Sequence, residues 1–185
     1  MIKLLPLIAL LGATSSMAAT ITFQAGANGY DHLGIDIRQN GSASTLEILV
    51  GYQSGATNNH EMRGLLSFSL ASIPAGSTID SITLTMTSNG SQSGTIAGMG
   101  TINLHEITPN GVAANNFSEA GTNWTNWGNS GTGTPWPTLG GDSASVLTTG
   151  TLSGPGADAT KLEAGETATF STSASFVAAA QAALN

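Results

Sequence analysis

The stretch that decides the fold runs from Arg63 to Thr87 and reads RGLLSFSLASIPAGSTIDSITLTMT. Apolar and polar residues alternate near both of its ends, which is the pattern of a β-strand with one buried face. Between them, residues 73–76 read IPAG, where proline fixes one backbone angle and glycine accepts a left-handed one. The stretch therefore predicts two strands joined by a turn, with Leu66, Phe68 and Leu70 on one face of the first.

The same alternation recurs on both sides of this stretch. It predicts further strands at 21–23, 33–38, 46–50, 101–107 and 167–171, and extends the second strand of the central stretch over 79–87. An alanine-rich segment at 175–184 predicts a short helix, and 115–141 lacks any regular pattern. Strands at this spacing, with turn signals between them and no helical crossovers, predict an all-β antiparallel sandwich with a short C-terminal helix.

The composition restricts the partners that this protein can have. Charged residues make up 8% of the chain, and four basic against eleven acidic residues give a formal net charge of −7. A nucleic-acid groove or an anionic membrane surface needs clustered lysine and arginine, so both partners are excluded. The chain has no cysteine, which excludes disulfides and thiolate metal sites.

The first nineteen residues have the pattern of a secretory signal peptide. A lysine near the start is followed by an apolar run too short to span a bilayer, and small residues lead up to Ala19. We therefore expect cleavage after Ala19 and a single domain over 20–185 with no membrane span. The expected location is secreted, either extracellular or at the cell surface.

The central stretch resembles the DNRLRE-type domains of secreted bacterial proteins. Those domains carry an arginine, a strand ending in Phe-Asp-Leu-Ser, an Ile-Pro-x-Gly turn and a second strand. The likeness extends to 23–31 (FQAGANGYD), to 134–142 (TPWPTLGGD), and to Glu119 with its nearby tryptophans. It implies a jelly-roll β-sandwich on the outside of a cell, like the carbohydrate-binding modules attached to polysaccharide-degrading enzymes.

Two departures from that family change what the resemblance implies. Ser69 stands where the family has aspartate after the phenylalanine, so any salt bridge or metal role of that aspartate is lost. Family members also continue past the alanine-rich segment into final strands, whereas this sequence stops at Asn185. The comparison predicts a sandwich that lacks its last strands and leaves one sheet with an unpaired edge.

The three tryptophans are the first candidates for a ligand site. Trp124, Trp127 and Trp136 lie close together in the irregular region, with Asn123 and Asn126 beside them. Sugar rings present flat C–H faces that stack on indole, and asparagine side chains could bind their hydroxyls. The sequence equally allows one or more of these indoles to fill the core, since sandwiches of this size often bury a tryptophan.

A second hypothesis is a polysaccharide lyase. Every histidine stands beside an acid, at Asp31-His32, His60-Glu61 and His105-Glu106. With tyrosines and arginines, these residues could supply a base, an acid and a carboxylate clamp for proton abstraction next to a uronic carboxylate. The tyrosines and arginines concerned are Tyr30, Tyr52, Arg38 and Arg63. Nothing in their spacing selects this chemistry.

Metal binding is the last candidate. Asp31, Asp36 and Asp142, together with Glu47, could contribute oxygens to a calcium ion at a loop. The alternative is that these are solvated acids on an acidic surface. Three histidines without close spacing do not make a zinc site.

These observations favour a secreted, non-catalytic β-sandwich that binds a polysaccharide or a cell-surface glycan. It is expected to need no cofactor, apart from the calcium considered above. One alternative is a structural protein that self-associates through an unpaired sheet edge. The lyase is the other alternative.

Overall fold

The structure is a computed structural model. It describes residues 18–24, 33–39, 43–44, 48, 50–53, 60–89, 101–107, 122–127, 134–136, 138–141, 143–154 and 163–185. The elements of this part, in chain order, are β1 (Leu33–Arg38), β2 (Ala43–Ser44), β3 (Gly51–Gln53), β4 (His60–Ser67), β5 (Leu84–Thr87), β6 (Asn103–Ile107), β7 (Asn126–Trp127), β8 (Thr134–Pro135), β9 (Ser143–Ser153), β10 (Thr167–Phe170) and α1 (Ala174–Leu184).

These strands form three antiparallel sheets. The first sheet has the order β2-β1-β4-β3, the second has the order β5-β10-β9-β6, and β7 pairs with β8 in a small third sheet. The prediction of an all-β antiparallel protein with a short C-terminal helix is therefore confirmed. Helix α1 runs over Ala174–Leu184, within a residue of where the alanine-rich segment placed it.

The first sheet is covered on both faces at its centre. Ile35 pairs with Leu65 across β1 and β4, and both are buried together with Ile37 on one face. On the opposite face lie Asp36 and Met62, which are also buried. Strands that are buried on both faces do not show the simple alternation of apolar and polar residues that is typical of a strand with one solvent-exposed face.

That enclosure explains an error in the predicted buried face of β4. We expected Leu66, Phe68 and Leu70 to face the core, but Leu65 is only 3% exposed, whereas Phe68 is 38% exposed. The strand ends at Ser67, so Phe68 and Leu70 lie beyond its hydrogen-bonded part. The following turn forms as predicted, since the Ser77 amide donates to the Pro74 carbonyl at 3.1 Å.

The second sheet has one apolar face and one polar face. Its apolar face is formed by alternate residues of four strands: Leu84, Met86, Leu104, Leu152, Ala168 and Phe170. Phe170 is buried, and it lies over Gly150 of the neighbouring strand. A side-chain carbon at position 150 would come within 2.9 Å of the Phe170 ring, so this contact requires glycine.

Several strand predictions are confirmed, but four short or weakly patterned strands were missed: β2, β9, and β7 and β8, which lie in the region 115–141 that was predicted to be irregular. The predictions at 33–38, 101–107 and 167–171 correspond to β1, β6 and β10. The longest missed strand is β9 over Ser143–Ser153, whose sequence SASVLTTGTLS is mostly small and polar. Without a run of large apolar residues, it carries little of the periodicity from which strands are predicted.

Other strand predictions are wrong in extent or place. Residues 21–23 form no strand. The strand predicted over 79–87 covers only Leu84–Thr87, and the stretch before it binds helix α1 instead. There, the Ile79 amide donates to Gln181 Oε1 at 2.8 Å, so this amide is not available to pair with a neighbouring strand. Near 46–50, strand β3 begins only at Gly51; residues 46, 47 and 49 lie outside the described part.

Helix α1 is fixed at both ends to the rest of the protein. Ser173 caps its first turn, accepting a hydrogen bond from the Phe176 amide at 3.0 Å, and its hydroxyl donates to the Leu147 carbonyl of β9. Near the other end, Gln181 Nε2 donates to the Ser77 carbonyl at 3.1 Å. Within the described ranges, no helix has the length and apolar character that crossing a lipid bilayer requires. The expectation of a leader over 1–19 falls largely on residues outside those ranges.

A buried ion pair in the first sheet gives a stability test. Asp36 is fully buried, and its Oδ2 accepts a hydrogen bond from Arg38 Nε at 2.5 Å. Removing the guanidinium leaves the buried Asp36 carboxylate without its partner. Arg38→Met should therefore lower the free energy of unfolding by about 3 kcal/mol in a urea titration. The double variant Asp36→Asn with Arg38→Met removes both charges and should lose clearly less. Equal losses in the two variants would contradict this account.

Candidate functional site

The tryptophan region is organised by one asparagine. Asn123 Oδ1 accepts hydrogen bonds from the Thr125 amide at 2.9 Å, the Thr125 hydroxyl at 2.8 Å and the Asn126 amide at 3.1 Å. This turn leads directly into β7, which pairs with β8. The side-chain oxygen of Asn123 is therefore occupied within the turn, while Asn126 is half-exposed.

Two of the three predicted stacking residues are core residues. Trp124 is 6% exposed and Trp136 is 4% exposed, and both pack with Ile35, Ile37 and Leu65 on the first sheet. The Trp136 indole Nε1–H donates to the Asn123 carbonyl at 2.8 Å, which satisfies its polar atom inside the protein. The prediction that Trp124 and Trp136 form a sugar platform is wrong, because their faces are covered by protein.

The structure describes the backbone of the third tryptophan, Trp127, but not its side chain. Trp127 pairs with Thr134 across β7 and β8. Its proposed stacking role, together with that of Asn126, stays a prediction. The structure establishes that this region covers one face of the first sheet with Trp124 and Trp136.

Arg63 joins this cover to the sheet below. Its guanidinium carbon lies 5.1 Å from the centroid of the Trp124 ring, and its Nη1 donates to the Gly140 carbonyl at 3.0 Å. Its Nε donates to Glu61 Oε1 at 2.9 Å, with the Arg63 side chain 40% exposed. Arg63 therefore binds a ring, a carbonyl and a carboxylate of its own chain, and these contacts make it a structural residue.

The residues proposed for lyase chemistry are separated by the sheet. Ile37 pairs with Arg63 across β1 and β4, so Arg63 lies on the face of Ile37 and Arg38 on the opposite face. Two guanidinium groups on opposite faces cannot hold one carboxylate. Each already has a carboxylate partner, in Asp36 for Arg38 and Glu61 for Arg63.

The other members of that set contribute less information. Tyr30 and His32 lie outside the described residues, as do the side chains of Tyr52 and His60. His105 lies on β6, in the second sheet. The described part of the chain therefore does not assemble a base beside an arginine clamp.

The predicted calcium ligands are only partly described. Asp31 and Asp142 lie outside the described residues, and so does Glu47. The Oδ1 atom of Asp36 is buried without a hydrogen-bond partner, so one oxygen could face an ion. Across the described ranges, no group of three potential ligands gathers around a common point. Calcium binding stays a prediction.

A surface that sequence reasoning did not single out lies on the polar face of the second sheet. Two rows of residues cross β5, β10 and β9 there: Thr85, Thr169 and Thr151 in one row, and Thr87, Thr167 and Ser153 in the other. We call these six residues the threonine face. Those on β5 and β9 are exposed, and the two on the inner strand β10 are half-buried.

The threonine face consists entirely of uncharged hydroxyl side chains. Among the described residues, no hydrogen-bond partner is found for its six hydroxyl groups, and the neighbouring Thr149 hydroxyl donates to Asn103 Oδ1 at 3.0 Å. Solvated strand faces usually carry charged residues, which also block edge-to-edge association. The sequence signal was present as threonine at every second position in TLTMT (83–87) and TAT (167–169).

Comparison of the chain with protein-family models, curated proteins and solved structures finds no match. The resemblance to DNRLRE-type domains therefore stays a prediction.

The packing of Trp124 on Gly140 gives a second stability test. Gly140 has a φ of +85°, and a side-chain carbon there would come within 2.6 Å of Trp124 Cζ2. Gly140→Ala should therefore lower the free energy of unfolding by about 2–4 kcal/mol, combining backbone strain with overpacking. Gly76→Ala is the matched control, because Gly76 has a φ of +78° but no atom within 4 Å of the added carbon. Its free energy of unfolding should fall only by the contribution of backbone strain, about 1–2 kcal/mol. Equal losses would contradict the packing role.

The burial of the tryptophans can be tested by fluorescence quenching. In the variant Trp127→Phe, all remaining indole emission comes from Trp124 and Trp136, which are both buried. We expect blue-shifted emission that iodide hardly quenches until urea unfolds the protein. Strong quenching of the folded variant would show that the cover opens in solution.

Proposed function

We propose that this protein is a secreted, non-catalytic β-sandwich module that binds a neutral polysaccharide. The observation that carries the proposal is the threonine face, an exposed set of hydroxyl groups without a charged side chain. A hydroxyl both donates and accepts hydrogen bonds, so such a surface is chemically matched to the hydroxyl groups of a sugar.

Charge selects the kind of polysaccharide. The whole chain carries a formal net charge of −7, and it has only four basic residues. Of these, Arg38 and Arg63 are already paired with carboxylates. An anionic glycan would be repelled by the protein's own field and would find no cation on the threonine face. A neutral glycan is not repelled by the negative charge of the protein, and it needs no cation on the threonine face.

The non-catalytic part of the proposal rests on the position of the arginines. A lyase needs a cation beside the uronic carboxylate and a base within hydrogen-bond reach of the proton it removes. Arg38 and Arg63 lie on opposite faces of the first sheet, and each is bound to its own acid. The threonine face holds no group that titrates near neutral pH.

A jelly-roll sandwich is the arrangement of the two larger sheets that we propose. Each sheet has an apolar face, and Ile107, at the end of β6 beyond two register shifts, packs against the core cluster on the first sheet. Facing these apolar surfaces toward each other buries both and leaves the threonine face outward in solvent. Secretion to the cell surface or the extracellular matrix follows from the signal-like residues 1–19.

Affinity electrophoresis tests this proposal. The purified protein is run through native gels that contain β-glucan, xylan, mannan, alginate or pectate. We expect at least one neutral polysaccharide to retard the protein, and neither anionic polymer to do so, with or without calcium. No retardation by any neutral polymer would refute glycan binding. Sedimentation of the same sample distinguishes the structural alternative, because reversible self-association without retardation would favour it.

A further inference from the structure

We propose that a single extended glycan chain lies across the strands of the threonine face, with one sugar unit over each of β5, β10 and β9. This inference rests on the proposed function, since it assigns the site and the direction of the bound chain. The evidence is the register of the three strands, the spacing that this register imposes and the extent of the unpaired hydroxyl groups.

The register aligns the hydroxyl side chains in rows perpendicular to the strands. Thr169 of β10 stands directly opposite Thr85 on one side and Thr151 on the other. Thr167 stands in the same way between Thr87 and Ser153. Neighbouring strands lie roughly 4.8 Å apart, so each row repeats a hydroxyl at that interval.

This interval matches the repeat of an extended polysaccharide. An extended β-1,4-linked chain advances by only slightly more than this strand spacing with each pyranose unit. A chain that crosses the strands therefore places one unit over each strand. Along one strand, only every second side chain lies on this face, roughly 6.7 Å from the next. The units of a glycan that ran parallel to the strands would therefore not coincide with successive side chains.

The two rows also match the width of the chain. They are two residues apart along the strands, which is roughly 6.7 Å. The hydroxyl groups of a pyranose ribbon project from its two edges, so one chain lying between the rows presents an edge to each. Threonine methyl groups beside the hydroxyls offer contacts to the sugar C–H groups.

The site ends where the pairing of β10 with its two neighbours ends, at Leu84 and Phe170. The next row contains Thr149, whose hydroxyl donates to Asn103 Oδ1 at 3.0 Å and is therefore already engaged. The two free rows span three strands and correspond to three sugar units.

The size and charge of the face favour a glycan over a protein partner. Three strands wide and three residues long, the face covers roughly 150 Å². A stable protein interface buries about 800 Å² on each partner, so the threonine face alone is too small for a second copy of this chain. The absence of charge on its six residues also gives an ionic partner nothing to bind.

Isosteric variants and an oligosaccharide series test this site. Thr169→Val and Thr167→Val each remove the central hydroxyl of one row but keep a β-branched side chain. Each should weaken binding about two- to tenfold, the effect of losing one hydrogen bond. Thr169→Ser keeps the hydroxyl and should bind like the unchanged protein. Thr78→Val is the matched control, because Thr78 is exposed but lies before β5, outside both rows.

The titrations use calorimetry with a neutral oligosaccharide of the retarding polymer, from one to six units. Affinity should rise up to three units and then level. If the polymer binds but both valine variants bind unchanged, the assigned site is wrong while glycan binding stands. If affinity rises well beyond three units, the crossing arrangement is wrong. If Thr78→Val weakens binding as much as Thr169→Val, the loss does not come from the rows, and the assignment also fails. If no glycan binds, the proposed function itself fails.

Discussion

The fold depends on the contact of Trp124 with Arg63 and Gly140. This contact joins an irregular segment to the strand that lies at the centre of the first sheet, and 77 residues separate Arg63 from Gly140 in sequence. Glycine is needed because no other residue leaves space for the indole at that backbone position. The Arg63 guanidinium lies over the Trp124 ring, with its central carbon 5.1 Å from the ring centroid, in a cation–π contact. With the segment held in this way, Ile35, Ile37 and Leu65 are shielded from solvent.

The same contact determines which residues are left for function. Trp124, Trp136 and Arg63 are the residue types that most often bind sugars or carboxylates, and all three are used to close the core. On the opposite face of the sheet, Arg38 is used in the same way to neutralise the buried Asp36. In a chain with only 8% charged residues, this leaves neutral hydroxyl and amide groups as the main chemistry at the surface.

The sequence was informative where a strand or helix had a strong local pattern. The alternation in β1, the IPAG turn and the alanine-rich helix α1 could all be predicted, because each depends on residues close in sequence. The burial of Trp124 could not, since it depends on a glycine and an arginine brought together by tertiary contacts. Strand β9 was missed because its small polar residues gain their order from the strands on either side. Residues 79–83 failed as a strand because Gln181 and Thr172 bind their backbone.

The threonine face shows why this candidate site was harder to find than the tryptophans. Threonine favours strands through its β-branched side chain, so a single one on a solvated face indicates nothing about function. The information lies in the register, which a local pattern does not reveal. Thr85, Thr151 and Thr169 come from three distant parts of the chain, and they form a row only because β10 pairs with both of its neighbours in step. A shift of one residue in either pairing would turn the hydroxyls inward and the apolar residues out. The burial of Phe170 against Gly150 prevents that shift, so the packing of the core fixes the positions of the hydroxyls on the surface.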